Sequence, residues 1–365
     1  MDVEGARHIS GQDAARENGK FEKKGFCVYI SKGKTGRSES HVSKDFCNVL
    51  DGKTVAWVDF VVDDLKKEAP EKARDFGFSH TLVESLLKEQ KSGYEDLETE
   101  MGLMLPTIHV RGFEVLIDPL LILIRNGILI TLHSKEARRF FRLRRYAETF
   151  MNKLSESMPM EDKTTTLLIR IIDENNNRNF DHLQEIEEHG DELSKLLTDP
   201  KTPRNTISTD IYKMKHALIM YLGGLWATVD TLNTLRYGDA NLITNNPNLI
   251  RRIGALNGEV HGQIGLAEHM SEVLASGLEV LQSIYNNQLQ ILNNRLALLV
   301  SYLTIIGTAL LVPNTIATVA SNSAFNLTAN DVPWYLGLII FSTLAATLLS
   351  WWIVKKMRLL PKSPE

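Results

Sequence analysis

Cysteine is almost missing from this chain. Only Cys27 and Cys47 occur in 365 residues, and no Cys-x-x-Cys or Cys/His spacing pairs them for zinc or redox chemistry. So little cysteine reads as a chain that works in reducing, cytoplasmic surroundings. A basic excess is missing too. The 41 Lys and Arg are outnumbered by 45 Asp and Glu, for a net charge of −4, which argues against a nucleic-acid partner. The first twenty residues hold no apolar run of the kind a secretory leader needs, and 1–20 reads as a flexible tail. There is no Gly-rich phosphate loop, no Gly-x-Ser-x-Gly and no His-Glu-x-x-His. Nothing therefore points to an enzyme or to an organic cofactor.

Charge is also absent from the end of the chain, and there the absence is informative. No charged residue occurs from Leu296 to Asn330, or from Val332 to Val354. A helix needs about 20 apolar residues to cross a bilayer. The spacing predicts two spans, 296–320 and 334–354, in contact with lipid. Trp334, Tyr335, Trp351 and Trp352 flank the second span, as interfacial aromatic belts do. Lys355, Lys356 and Arg358 follow it, whereas the connecting loop, 321–333, has no Lys or Arg. The positive-inside rule then puts the loop outside and the 355–365 tail in the cytoplasm. Two spans return the N-terminal part to the cytoplasm as well, which describes a multi-pass protein of the cytoplasmic membrane.

One further apolar stretch, Leu120 to Leu132, is too short to span. Asn126-Gly127 in its middle is a hairpin signal between two buried strands. With strand-like runs at CVYI, VAWVDFVV, LMLPTIHV, FEVLI, LLILI and ILITLH, and helices between and after them, 21–160 reads as an α/β domain. Residues 161–245 read as a helical hairpin region broken near Pro200 and Pro203. Gly223-Gly224 reads as close helix packing. The basic run Arg138, Arg139, Arg142, Arg144 and Arg145 is either a lipid or nucleic-acid patch or, more plainly, a solvated helix face paired with acids.

The region 246–295, proline-free from Asn248 onward, repeats in threes and fours, through Ile253, Leu256, Val260, Ile264 and Ala267 to Ile284. That is a coiled-coil-like seam, a stalk helix that leads into the first span. Within that span Ser301, Thr304, Thr308, Thr315, Thr318 and Asn322 share one helical face. Leu311 fills the missing step, and Asn314 lies beside Pro313. Small hydroxyl residues at this spacing serve either of two purposes. They let helices pack closely, or they line a pore for hydrated cations with Leu311 as an apolar constriction. A two-span chain encloses no pore alone, so the second purpose requires several copies around an axis.

In order along the chain, several segments resemble the CorA family of divalent metal-ion transporters. They are WVDF from Trp57, DFGFSHTLVESLL at 75–87, GYEDLE at 93–98, ILIRNGILITLHSKEARRFFRLRR at 122–145 and LTIIGTALLVPNTIA at 303–317. The resemblance implies an α+β cytoplasmic domain (an α/β/α sandwich), a long helical stalk and two C-terminal transmembrane helices, assembled as a funnel-shaped homopentamer. It implies transport of Mg²⁺, Co²⁺, Ni²⁺ or Zn²⁺, with the first span lining the axis, and possible regulation by the same cations. The family's Gly-Met-Asn signature is replaced here by ValAlaSerAsnSerAlaPhe at 319–325, with Asn322 in the place of the signature Asn. Family members sense metal with acidic residues between subunits. By resemblance those positions fall on Glu84 and, on the stalk, near Glu259 and His261. A Glu/His set suits Zn²⁺ or Ni²⁺ better than Mg²⁺. Two alternatives stand beside a cation channel: a proton-coupled zinc transporter, and a non-conducting pentameric scaffold or metal sensor.

Overall fold

A computed structural model describes residues 25–50, 55–88, 92–198, 203–238, 241–321 and 329–356. The chain divides into two units, 1–277 and 278–365.

The first unit is built on a seven-stranded mixed sheet. Its strands are β1 (Gly25–Ser31), β2 (Lys34–Ser40), β3 (Val55–Val61), β4 (Gly93–Asp96), β5 (Glu100–Arg111), β6 (Glu114–Arg125) and β7 (Ile128–His133), in the order β2-β1-β3-β7-β6-β5-β4. Only β3 and β7 run parallel; every other neighbouring pair is antiparallel. Asn126 and Gly127 both take positive φ, 47° and 75°, and turn β6 into β7. That is the geometry a two-residue hairpin needs and the reason for Asn-Gly. FEVLI and LLILI prove to be one strand, β6, rather than two. Pro119 lies opposite Pro106 of β5, where β6 has no second partner, so the missing N–H costs no ladder bond. The strand β2, KTGRSES, carries no apolar alternation and was not legible as a strand.

Helices cover both faces of the sheet. In β3, Ala56, Val58 and Phe60 point to one face and Trp57 and Asp59 to the other, as the period of two requires. The first face packs against α1 (Ser43–Leu50), α2 (Leu65–Asp75) and α3 (His80–Lys88) through Phe46, Leu50, Ala69, Ala73, Leu82 and Leu86. The second face meets α4 (Arg139–Met151) and α5 (Met160–Asn176), while α6 (Asn179–Thr198) and α7 (Arg204–Tyr237) pack against β5. Gly224 of α7 sits against the sheet so closely that a Cβ there would lie 2.8 Å from Ile108 Cδ1. Gly224 is thus a packing device.

The basic run divides: Arg138, Arg142 and Arg145 are exposed, as a solvated helix face requires, while two members turn inward. Arg139 and Arg144 are buried, while Arg142 pairs with Glu174 at 2.8 Å. Arg144 Nε donates to Asp59 Oδ2 at 2.6 Å, and His133 Nε2 lies 3.1 Å from Asp59 Oδ1. Thr131 donates its hydroxyl to the same carboxylate and accepts the Trp57 indole N–H at 2.9 Å. A buried carboxylate on the inner sheet face called these side chains inward.

The helix α8 (Pro247–Ala320) is continuous for 74 residues, with Pro313 inside it. Asn246 caps its start, its Oδ1 accepting the Asn248 N–H at 3.0 Å. The seam residues Ile253, Val260, Ile264 and Ala267 are buried in the first unit. The second unit holds the rest of α8, a short 3-10 turn (Ala329–Asp331) and α9 (Val332–Lys356). Both α8 and α9 are long and apolar enough to cross a membrane, with mean hydropathy of 2.1 and 1.9 over their richest windows. Large apolar side chains such as Leu303, Leu310 and Phe341 lie exposed. That surface suits lipid or neighbouring helices, not water.

Candidate ion path and metal-binding residues

On α8 every hydroxyl of the stripe that the structure describes is bonded in the same way. Ser301, Thr304, Thr308, Thr315 and Thr318 each donate to the backbone carbonyl four residues earlier, at 2.7–2.8 Å. A Ser or Thr hydroxyl has one proton and two acceptor lone pairs. With the proton committed to the helix, what remains at the surface is acceptor only. A row of acceptors suits the outward-pointing hydrogens of a cation's hydration shell.

Packing separates the members of the row. Thr304, Leu311, Asn314, Thr315 and Thr318 are exposed, and Thr308 is half-buried. Ser301 is 7% exposed, which fits the helix-packing role of a small hydroxyl residue. Asn322, together with most of the 321–333 loop and the 1–20 tail, lies outside the described residues. At the end of α8 a cleft of about 480 Å³ is lined by Thr315, Ile316, Val319, Asp331, Trp334 and Tyr335. Tyr335 closes it by donating its hydroxyl to the Ala317 carbonyl at 3.3 Å. This link ties α9 to α8, and sequence reading saw Tyr335 only as an interfacial aromatic.

The three metal candidates of the first unit are not gathered into one centre. Among the described residues no group of three or more His, Cys, Asp or Glu side chains could hold a metal ion. Glu84, on α3, lies 3.4 Å from His80 Nδ1 and 3.6 Å from Lys88 Nζ along its own helix. Glu259 is exposed on α8. His261 Nδ1 donates to the Asn257 carbonyl at 2.9 Å, and its ring stands edge-on to Trp226 with centroids 5.9 Å apart. A carbonyl accepts only, so the proton is on Nδ1 and the Nε2 lone pair is left for a ligand, the usual arrangement of a metal-binding imidazole.

A family model described as CorA-like Mg²⁺ transporter protein matches residues 52–356. No curated protein matches the chain. Among solved structures, the complete CorA magnesium transporter of Methanocaldococcus jannaschii is similar at 18% identity, with 91% of this chain and 97% of that one covered and a TM-score of 0.66. The soluble domain of the same transporter is similar at 21% identity, over 64% of this chain and 90% of that one, with a TM-score of 0.52. The full-length CmaX protein is similar at 16% identity, over 92% and 98%, with a TM-score of 0.53. At these identities the likeness is one of fold.

Proposed function

Because the chain belongs to the CorA-like Mg²⁺ transporter family, a family of membrane metal transporters rather than enzymes, we propose that five copies enclose an axial path for hydrated divalent cations lined by the exposed face of α8. The observation that carries this reading is the row Thr304, Thr308, Thr315 and Thr318, whose hydroxyl protons are all turned into the helix. Their oxygens accept from the ion's water shell without stripping it, which favours passage of a strongly hydrated ion. Leu311, 69% exposed in the same row, forms the apolar constriction that closes the path by dewetting. No carboxylate stands in the first span to relay protons, so conduction is passive on this reading.

The transported ion belongs to the set Mg²⁺, Co²⁺, Ni²⁺ and Zn²⁺, with Asn322 at the outer mouth. Lys355 and Lys356, at the end of α9, face the cytoplasm, and the first unit lies on that side of the cytoplasmic membrane. The exposed His261 or Glu259, which point to opposite sides of α8, would take a transition metal from the cytoplasm and so report its concentration, with Glu84 completing the site from a neighbouring copy.

The deciding measurement is flux of the four cations into liposomes containing purified protein. Thr315→Val and Thr318→Val keep the side-chain shape and remove the acceptor oxygen. Each is expected to lower flux of the preferred ion about tenfold, since one lost hydrogen bond to a charged assembly is worth roughly 1.5 kcal/mol. Unchanged flux in both variants would remove α8 from the path. No flux of any cation in the unaltered protein would favour the scaffold reading.

A further inference from the structure

Between β5 and the helices that cover it lies a layer of buried polar groups that cation transport does not use. Arg139 is 4% exposed. Its Nη2 donates to the Ile108 carbonyl at 2.5 Å and its Nη1 to the Asn175 carbonyl. Among the described residues no carboxylate forms an ion pair with it. Glu174, whose charge acts on it, is engaged by Arg142 at 2.8 Å and Arg170 at 3.2 Å. Burial brings the pKa of the Arg139 guanidinium down to about 10, a sign of how little compensates its charge.

Within reach of the Arg139 charge lie buried polar atoms with no partner. His182 Nδ1, Asn176 Nδ2 and His109 Nε2 are buried atoms with no hydrogen-bond partner among the described residues, as is the acceptor Asn179 Oδ1. Asn176 is 5% exposed and His182 9%. The groups act on one another: burial first, and then the charge of Arg139, bring both histidines down to about pKa 4. Both imidazoles are therefore neutral near pH 7, and each has one N–H to offer from the tautomer that turns it toward a ligand. Tyr221, edge-on to His182 at 6.5 Å, gives its hydroxyl to the Asn179 carbonyl at 2.7 Å and takes no part. Asp118 lies 3.8 Å from His109 Nε2, beyond hydrogen-bond reach, and accepts from Ser134. Arg178 adds positive potential to the same place.

Each buried donor left unmade is costly, and an uncompensated buried charge more so. With each histidine in its donating tautomer, three N–H groups stand beside one cation without an ion-pair partner, the reverse of a metal site. We propose that the first unit holds a small monovalent anion, of chloride size, bound by Arg139, His182, Asn176 and His109. One guanidinium calls for one negative charge, and a phosphate or sulfate dianion would overshoot it. Neutral imidazole and amide N–H groups donate to a halide without changing protonation. The site joins β5 to α4, α5 and α6. Through Asn179, whose Nδ2 donates to Gln263 Oε1 of α8 at 3.0 Å, it also adjoins the stalk. Anion occupancy would thus stiffen the packing of α8 against the first unit.

The test uses the full chain purified in detergent. Crystals grown in sodium bromide are expected to show a bromine anomalous peak ringed by His182 Nδ1, Asn176 Nδ2 and the Arg139 guanidinium; ordered water there without an anomalous signal would overturn the proposal. Thermal unfolding in sodium chloride and in sodium gluconate at equal ionic strength gives an independent reading. The midpoint should be higher in chloride, and the gap should vanish in His182→Phe and in Asn176→Leu, which leave Arg139 and its two backbone contacts in place. Equal midpoints for the unaltered protein in both salts, or a gap that survives both substitutions, would count against it.

Discussion

Asp59 sits at 0% exposure on β3, with Arg144, His133 and Thr131 turned toward it. Burial by itself pushes a carboxyl pKa up. Here the charges of Arg144 and His133, with the hydrogen bonds from His133 and Thr131, outweigh burial and hold the Asp59 carboxyl well below the usual carboxylate range. Its folded pKa is depressed relative to an unfolded value of about 3.9, so its stabilisation is complete above that value and is lost as pH falls through it toward the folded one. Asp59→Asn keeps the shape and takes the carboxylate charge away from Arg144. It is expected to cost about 3–5 kcal/mol at pH 7, read by chemical denaturation, and the gap to the unaltered protein should narrow between pH 5 and pH 2. A constant gap across that range would mean that the ion pair is not what Asp59 contributes. The thiol of Cys27 makes a contrast. Burial, and after it the nearby Cys47 thiol, pushes it up to about 12, so it stays an unreactive core group.

At the scale of elements, local pattern was a good guide wherever the pattern was local in origin. The Asn126-Gly127 hairpin follows from two positive φ values in adjacent residues, and α8 and α9 follow from long apolar runs. The β2 strand was invisible because both of its faces are polar; it exists through its ladder to β1. The α7–sheet contact belongs to this scale. Gly224 has Ile108 and Ile117 where its side chain would be, so Gly224→Leu is expected to destabilise by roughly 1–3 kcal/mol through overpacking. Gly258, on the same protein's α8, has nothing within 4 Å of the equivalent position. Gly258→Ala should therefore be neutral or slightly stabilising by helix propensity. Thermal unfolding of the two variants side by side tests whether contact or backbone freedom sets the cost. On the pore reading, Leu311→Ser should raise resting cation leak in liposomes, because a polar ring no longer dewets.

For the whole molecule, the central expectation is assembly. One chain contributes a single candidate pore helix with an exposed face and a single set of Glu84, Glu259 and His261, which it does not gather. On the proposed reading both features become complete only when copies meet. Native mass spectrometry of the detergent-solubilised protein is expected to show five chains per particle; a monomer or dimer as the sole species would leave the axial path without walls.

The residue order by itself determined that two helices leave water for lipid, since transfer of an uncharged run of that length depends on composition alone. It likewise determined that the hydroxyls of α8 fall on one face, since helical spacing places them there. Only the tertiary structure decided which of those hydroxyls is open, burying Ser301 and exposing Thr315 and Thr318. It also decided that Arg139 and Arg144 leave a basic helix face for the interior. The difference is physical. Length, charge and period act within one segment, whereas the burial of a hydroxyl or a guanidinium depends on which other segment arrives to cover it.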